Sequence, residues 1–220
     1  MLSYLNDPAV KEKFTLRFAA HRAADEVIQG EGFNPEKNRG CFVGCTLDNY
    51  DHSQFPEQLG WPQWLAHLAD EIFEGIPASQ APQFGTDLLA AVPVGKDLEP
   101  VRHMIAISRH ERQIKRLEGN TEPYAEQCRT ALQGVIDYCK GELTQTNSES
   151  AESAESARSA AGSAEAAAWS AESAESAAWS AESAAESAAW SAAESAAWSA
   201  AESDEYQIER DTLLAVLRAL

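Results

Sequence analysis

The sequence predicts an all-α protein in two unlike parts: a compact helical domain over residues 1–147 and a long Ala/Ser-rich helix behind it. Three observations carry this. Apolar residues of the first part recur at spacings of three and four, the period of a helix. No segment alternates convincingly with period two. Residues 148–203 repeat a unit of about one helical turn.

Asp7-Pro8 opens the first helix, a capping acceptor followed by a proline whose missing N–H is no loss there. The apolar face Val10, Phe14, Phe18 and Ile28 predicts that this helix runs to about Gln29, with Gly30 and Gly32 ending it. His21 and Asp25 share that face, one turn apart. Polar groups on an apolar face need partners, so the pair reads either as satisfied core hydrogen bonding or as ligands. Residues 30–60 are rich in Gly, Asn, Pro and Asp and predict an irregular loop. Within it stand Gly40-Cys41-Phe42-Val43-Gly44-Cys45-Thr46-Leu47 and then Asp51-His52. Cysteines four apart read either as small core residues or as metal ligands.

From Pro56 the pattern is helical again, with the stripe Trp61, Trp64, Leu65, Leu68 and Ile72, closed by Gly75 and Pro77. The pairs His67/Glu71 and Asp70/Glu74 fall off that stripe and read as a solvated face. A short helix from Thr86 to Ala91 precedes a longer one from about Asp97 to Leu117. The second half of the longer helix holds the chain's basic cluster: Arg109, His110, Arg112, Lys115 and Arg116. Cations near a helix C-terminus are favourable on their own account. An anion site at Arg109, Arg112, Lys115 and Arg116 is the alternative, and no glycine-rich phosphate loop accompanies it. Pro123 opens a further helix with Tyr124, Cys128, Leu132, Val135, Cys139 and Leu143 on one face. Cys128 and Cys139 stand roughly 16 Å apart along it at 1.5 Å per residue, so they belong to a core rather than to one metal.

In the tail, Glu and Trp occupy every third or fourth position from Glu165 to Glu202, between alanines and serines. That period is helical, and the resulting stripe is coiled-coil-like. Trp169, Trp179, Trp190 and Trp198 have no apolar neighbours within their stripe. They therefore predict a second surface, either another copy of the tail or a hairpin folded back at Gly162. Residues 204–220 form a separate amphipathic helix with Ile208, Leu213, Val216, Leu217 and Leu220, which must dock on something.

The formal net charge is -18. Residues 1–147 hold 14 Lys/Arg against 21 Asp/Glu, and residues 148–220 hold 3 against 14. Such a chain is expected not to bind nucleic acid directly, because phosphate contacts need clustered cations. No apolar run reaches the ~18 residues of a membrane span, and Met1 to Asp7 do not read as a signal peptide. A cytoplasmic protein is the expectation, which favours thiols or ligands over disulfides.

The segment from Ala20-His21 through Ala24-Asp25, then Gly40-Cys41-x-Val43-Gly44-Cys45-Thr46-Leu47, Asp51-His52, and Leu59-Gly60-x-Pro62 through Gly75-x-Pro77 resembles a family of uncharacterised bacterial and bacteriophage proteins. Similar members carry an alanine-rich tail with tryptophans and end like Glu209-Arg210-Asp211-Thr212-Leu213-Leu214. The resemblance implies no activity. It implies a phage or mobile-element accessory protein, in the host cytoplasm if phage-encoded. In that family the tail often carries arginine besides glutamate, whereas the repeat here has Arg158 alone.

Two function classes follow. The first is a non-enzymatic accessory protein that self-associates through its tail and binds a protein partner, such as a host or defence protein. The second is a small zinc-dependent enzyme with His21, Asp25, Cys41, Cys45 and His52 converging on one ion, residue types that suit zinc. A small-molecule or nucleotide sponge using the basic stretch is a third reading. No hydrolase, kinase or dinucleotide motif is present.

Overall fold

A computed structural model of the chain describes residues 1–119, 123–144 and 187–220. The described residues are largely helical, with one two-stranded sheet. They divide into two compact units, Met1–Arg102 together with Ser199–Leu220, and His103–Trp198.

The first unit opens on a single turn, Ser3–Asn6, whose Tyr4, Leu5 and Asn6 all have positive φ. Left-handed backbone costs an L-residue about 1–2 kcal/mol, and tertiary bonds hold it here. Ser3 N donates to the Lys96 carbonyl at 2.8 Å, and the buried Tyr4 hydroxyl donates to the Leu89 carbonyl at 2.6 Å. Helix α1 (Pro8–Ala23) follows, with Asp7 Oδ1 accepting from Ala9 N at 2.8 Å as its cap. The helix stops six residues short of the expected Gln29. Glu26 N bonds the His21 carbonyl, Asp25 N bonds the Arg22 carbonyl, and Asp25 takes φ 56°. This is a Schellman stop with aspartate where glycine is usual. Asp25 is therefore a backbone terminator.

The expected irregular loop at 30–60 is instead a series of short ordered pieces. Strands β1 (Phe33–Asn34) and β2 (Arg39–Gly40) pair antiparallel, Phe33 opposite Gly40. Asn34 Oδ1 accepts from the Glu36 and Lys37 amides and closes the turn between them. Helix α2 (Phe42–Leu47) is buried throughout. A turn of 3-10 helix, His52–Gln54, leads into α3 (Phe55–Leu59), and Gly60 in the left-handed region turns the chain into α4 (Gln63–Gly75). Helix α5 (Ala81–Ala91) begins five residues before the expected Thr86, with Pro82 in its first turn. Phe14, Phe18, Phe42, Phe55, Trp61, Phe73 and Phe84 are all 1 % exposed or less and form the core. Phe42 from α2 lies at its middle, with ring centroids 5.7 Å from Phe18 and 6.5 Å from Phe84.

Helix α8 (Ser187–Arg218) closes the first unit with its C-terminal part. Leu213, Leu214 and Leu217 are buried. The Tyr206 ring fills the space a side chain at Gly75 would take, and Gln80 bonds both Gln207 and Arg210. The second unit takes in most of α6 (Glu99–Arg116) and all of α7 (Pro123–Thr144). Within it the His103 and Tyr138 rings meet edge to face, and Lys140 pairs with Glu111 at 3.5 Å. Cys139 is buried and Cys128 half-buried.

Trp169, Trp179 and Gly162 lie outside the described residues. Trp190 and Trp198 fall on the backbone of α8, but their side chains are outside what is described. Among the described residues no helix is long and apolar enough to cross a membrane.

Candidate metal centre

Helix α4 carries Asp70 and Glu74 one turn apart, on one face. Asp70 is 8 % exposed, so it is not part of a solvated face as the sequence pattern suggests. The reason lies in the width of the buried face. Ala66, Ala69 and Phe73 are buried along with Leu65 and Ile72, and the small alanines let the helix approach its neighbours closely. Asp70 is drawn inside with them.

Cys41 caps the N-terminus of α2. Its amide donates to the Glu31 carbonyl at 2.8 Å and the Gly32 carbonyl at 3.1 Å. That close crossing requires Gly44, because a methyl group there would overlap the Gly32 carbonyl oxygen. The Gly-Cys-Phe-Val-Gly-Cys string thus seats a helix start against a neighbouring backbone. Glu74 is held from the other side: its Oε2 accepts from Gly30 N at 2.8 Å. Gln29 donates to the Phe73 carbonyl at 2.5 Å and to the Ile76 carbonyl at 2.8 Å. The segment after the α1 stop is thereby tied to the end of α4.

The result is a convergence of Cys41, Asp70 and Glu74, with one ligand atom from each lying within 4.8 Å of the others. Cys41 and Asp70 are buried and Glu74 is exposed. Asp70 Oδ2 accepts from the Tyr50 hydroxyl at 3.0 Å and from His52 Nε2 at 3.1 Å. Among the described residues Asp70 Oδ1, which is buried, has no hydrogen-bond partner of acceptable geometry. Burial, then the Asp70 charge and a hydrogen bond between the thiol and that carboxylate, push Cys41 well above the usual cysteine range, against the opposing pull of the Gly44 and Val43 amides. Desolvation raises the Glu74 carboxyl, and the Asp70 charge adds to it. Desolvation, the bond to Asp70 and the surrounding negative charge push the Tyr50 phenol up to about 12. Each shift has the same origin: negative groups crowd a site of low water content.

The other expected ligands are placed as follows. His21 is 4 % exposed and fully engaged. Its Nε2 meets Asp48 Oδ1 at 2.9 Å, and its Nδ1 meets Glu26 Oε2 at 2.8 Å and the Asn38 carbonyl at 3.0 Å. Asp25 sits at the α1 stop. Cys45 is buried, its thiol directed at the Gly40 carbonyl at 3.3 Å, and burial pushes it up to about 12. His52 reaches the cluster through Asp70. Thus Cys41 and His52 come together, while Asp70, Glu74 and Tyr50 join them from outside the expected set. The signal that could have found the two carboxylates was their helical spacing. In the second unit Arg112 donates to Ser108 and His110 meets Gln113, and Arg109 and Arg116 are likewise engaged.

No family model matches this chain, and no match was found among curated proteins or solved structures.

Proposed function

We propose that this chain is a small metal-dependent enzyme of the zinc class, with Cys41, Asp70 and Glu74 as the ligands. The observation that carries the reading is the buried Oδ1 of Asp70, which no well-formed hydrogen bond among the described residues satisfies, beside a buried thiol and a second carboxylate. A buried polar atom without a partner is costly, and two carboxylates one turn apart repel. One divalent cation relieves both. Thiolate with carboxylate is a donor set that favours zinc over magnesium or calcium, which take all-oxygen sites. Ligand atoms of a tetrahedral zinc with bonds of ~2.0–2.3 Å stand roughly 3.3–3.8 Å apart. Three atoms within 4.8 Å of one another reach that spacing by closing at most about 1–1.5 Å.

Three protein ligands leave one position for water, which is the arrangement of catalytic rather than structural zinc sites. Such an ion lowers the pKa of its bound water and polarises carbonyl or phosphoryl oxygens. The exposure of Glu74 supports an open side toward solvent.

Elemental analysis of the purified full chain should find about one zinc per molecule, and Cys41→Ser or Asp70→Asn should abolish it. The cobalt-substituted protein should show sulfur-to-metal charge transfer, and added azide should alter its visible spectrum by entering the open position. Absence of metal uptake overturns the reading. A cobalt spectrum indifferent to azide removes the enzyme and leaves a closed structural site.

A further inference from the structure

The two donors on Asp70 come from one short segment, and their arrangement has a simple cause. Asp51 is extended, with φ -145° and ψ 97°. Residues on either side of an extended residue project the same way, so Tyr50 and His52 both face α4. Asp51 itself fixes the segment, accepting from Ser53 N at 3.0 Å and from Gln54 Nε2 at 3.0 Å.

Both side chains are further immobilised. The His52 ring stacks on His67, with centroids 4.2 Å apart and planes within 9°. Tyr50 meets the edge of the same ring at 5.0 Å. The Tyr50 ring lies against Gly32, where a Cβ would come within 2.6 Å of its Cγ. An ionised carboxylate only accepts, so His52 carries its proton on Nε2 when it bonds Asp70.

Tyr50 and His52 therefore occupy the same oxygen, Oδ2, and neither of them engages Oδ1, the oxygen left for the ion that Cys41 and Glu74 would share. We infer that Tyr50 and His52 are positioning residues of the metal centre: they lock the rotation of the Asp70 carboxylate so that Oδ1 alone reaches the ion. This rests on the zinc reading above. Without the lock, the carboxylate is free to turn and bind through both oxygens. That would fill the position otherwise left to water. The pair thus sets both the affinity of the centre and its coordination number.

The test uses the full chain and four substitutions: Tyr50→Phe, His52→Ala, His52→Gln and Cys41→Ser. Zinc affinity is measured by competition with a chromogenic chelator, and coordination by the visible spectrum of the cobalt form. Tyr50→Phe and His52→Ala are expected to weaken zinc binding by about 10–100-fold, the usual effect of losing an outer-shell partner. Their cobalt bands should lose intensity as the coordination number rises above four. His52→Gln keeps a side-chain N–H near the place of Nε2 and should recover most of the affinity. A merely structural role would not produce that recovery together with a restored cobalt spectrum. If Tyr50→Phe and His52→Ala bind and absorb like the unaltered protein while Cys41→Ser loses the metal, the positioning role is overturned and the zinc site stands. If the unaltered protein takes up neither zinc nor cobalt, both are overturned.

Discussion

A single methyl group at Gly44 should dismantle the centre from a distance. It would overlap the Gly32 carbonyl oxygen, and neither backbone can move without shifting Cys41, which bonds the same carbonyl. Gly44→Ala is expected to destabilise the fold by about 1–3 kcal/mol, as overpacking does, and to lower zinc uptake with it. Chemical denaturation and metal analysis of one preparation check both, and an unchanged midpoint would contradict the close crossing. A second residue gives a pH dependence. The Glu31 carboxyl accepts from Asn34 Nδ2 and Arg39 Nε, each at 2.8 Å, and these bonds hold it below the usual glutamate range. A depressed pKa contributes stability above the unfolded value of about 4.3 and loses it as pH falls through the folded one. The stability gap between the native chain and Glu31→Gln should therefore be present near pH 6 and shrink below about pH 4. A Glu31 titration midpoint at or above the unfolded value would contradict it. Cys41 was legible in the sequence because glycines frame it and a histidine follows. Asp70 and Glu74 were not, because a carboxylate pair on a helix is usually solvated, and only the alanines beside them turn it inward.

At the level of elements, the C-terminal part of α8 belongs to the packing of the first unit. Leu213 is completely buried, and truncating a buried leucine costs about 2–5 kcal/mol. Leu213→Ala should show that loss in urea unfolding, whereas a loss under about 0.5 kcal/mol would mean that the helix end contributes little. The need of this segment to dock was readable from its leucines; its partner was not, since no local signal names a surface some 130 residues away. Helices α6 and α7 began close to where periodicity and Pro123 placed them. The end of α1 was missed because the Schellman turn uses aspartate, which has no signature apart from its backbone angle. Strands of two residues and a helix of six are too short to show any period, so the segment around β1, β2 and α2 read as a loop.

The whole molecule is acidic, with a formal charge of -18, and Arg109, Arg112 and Arg116 of α6 already have partners within the chain. The chain should therefore pass through a DNA or heparin column at about 150 mM salt, where binding depends on unpaired cations. Retention would contradict this. The same molecule has an unusual order of assembly. Its first unit combines residues 1–102 with 199–220, so the last leucines of that unit are made long after the rest. At ~5–20 residues per second, the ribosome needs roughly 5–20 s to add the intervening stretch of about a hundred residues. Throughout that interval residues 1–102 lack the surface that Tyr206, Leu213, Leu214 and Leu217 supply. An apolar face therefore waits uncovered beside the candidate metal centre until the chain's own C-terminal helix arrives to close it.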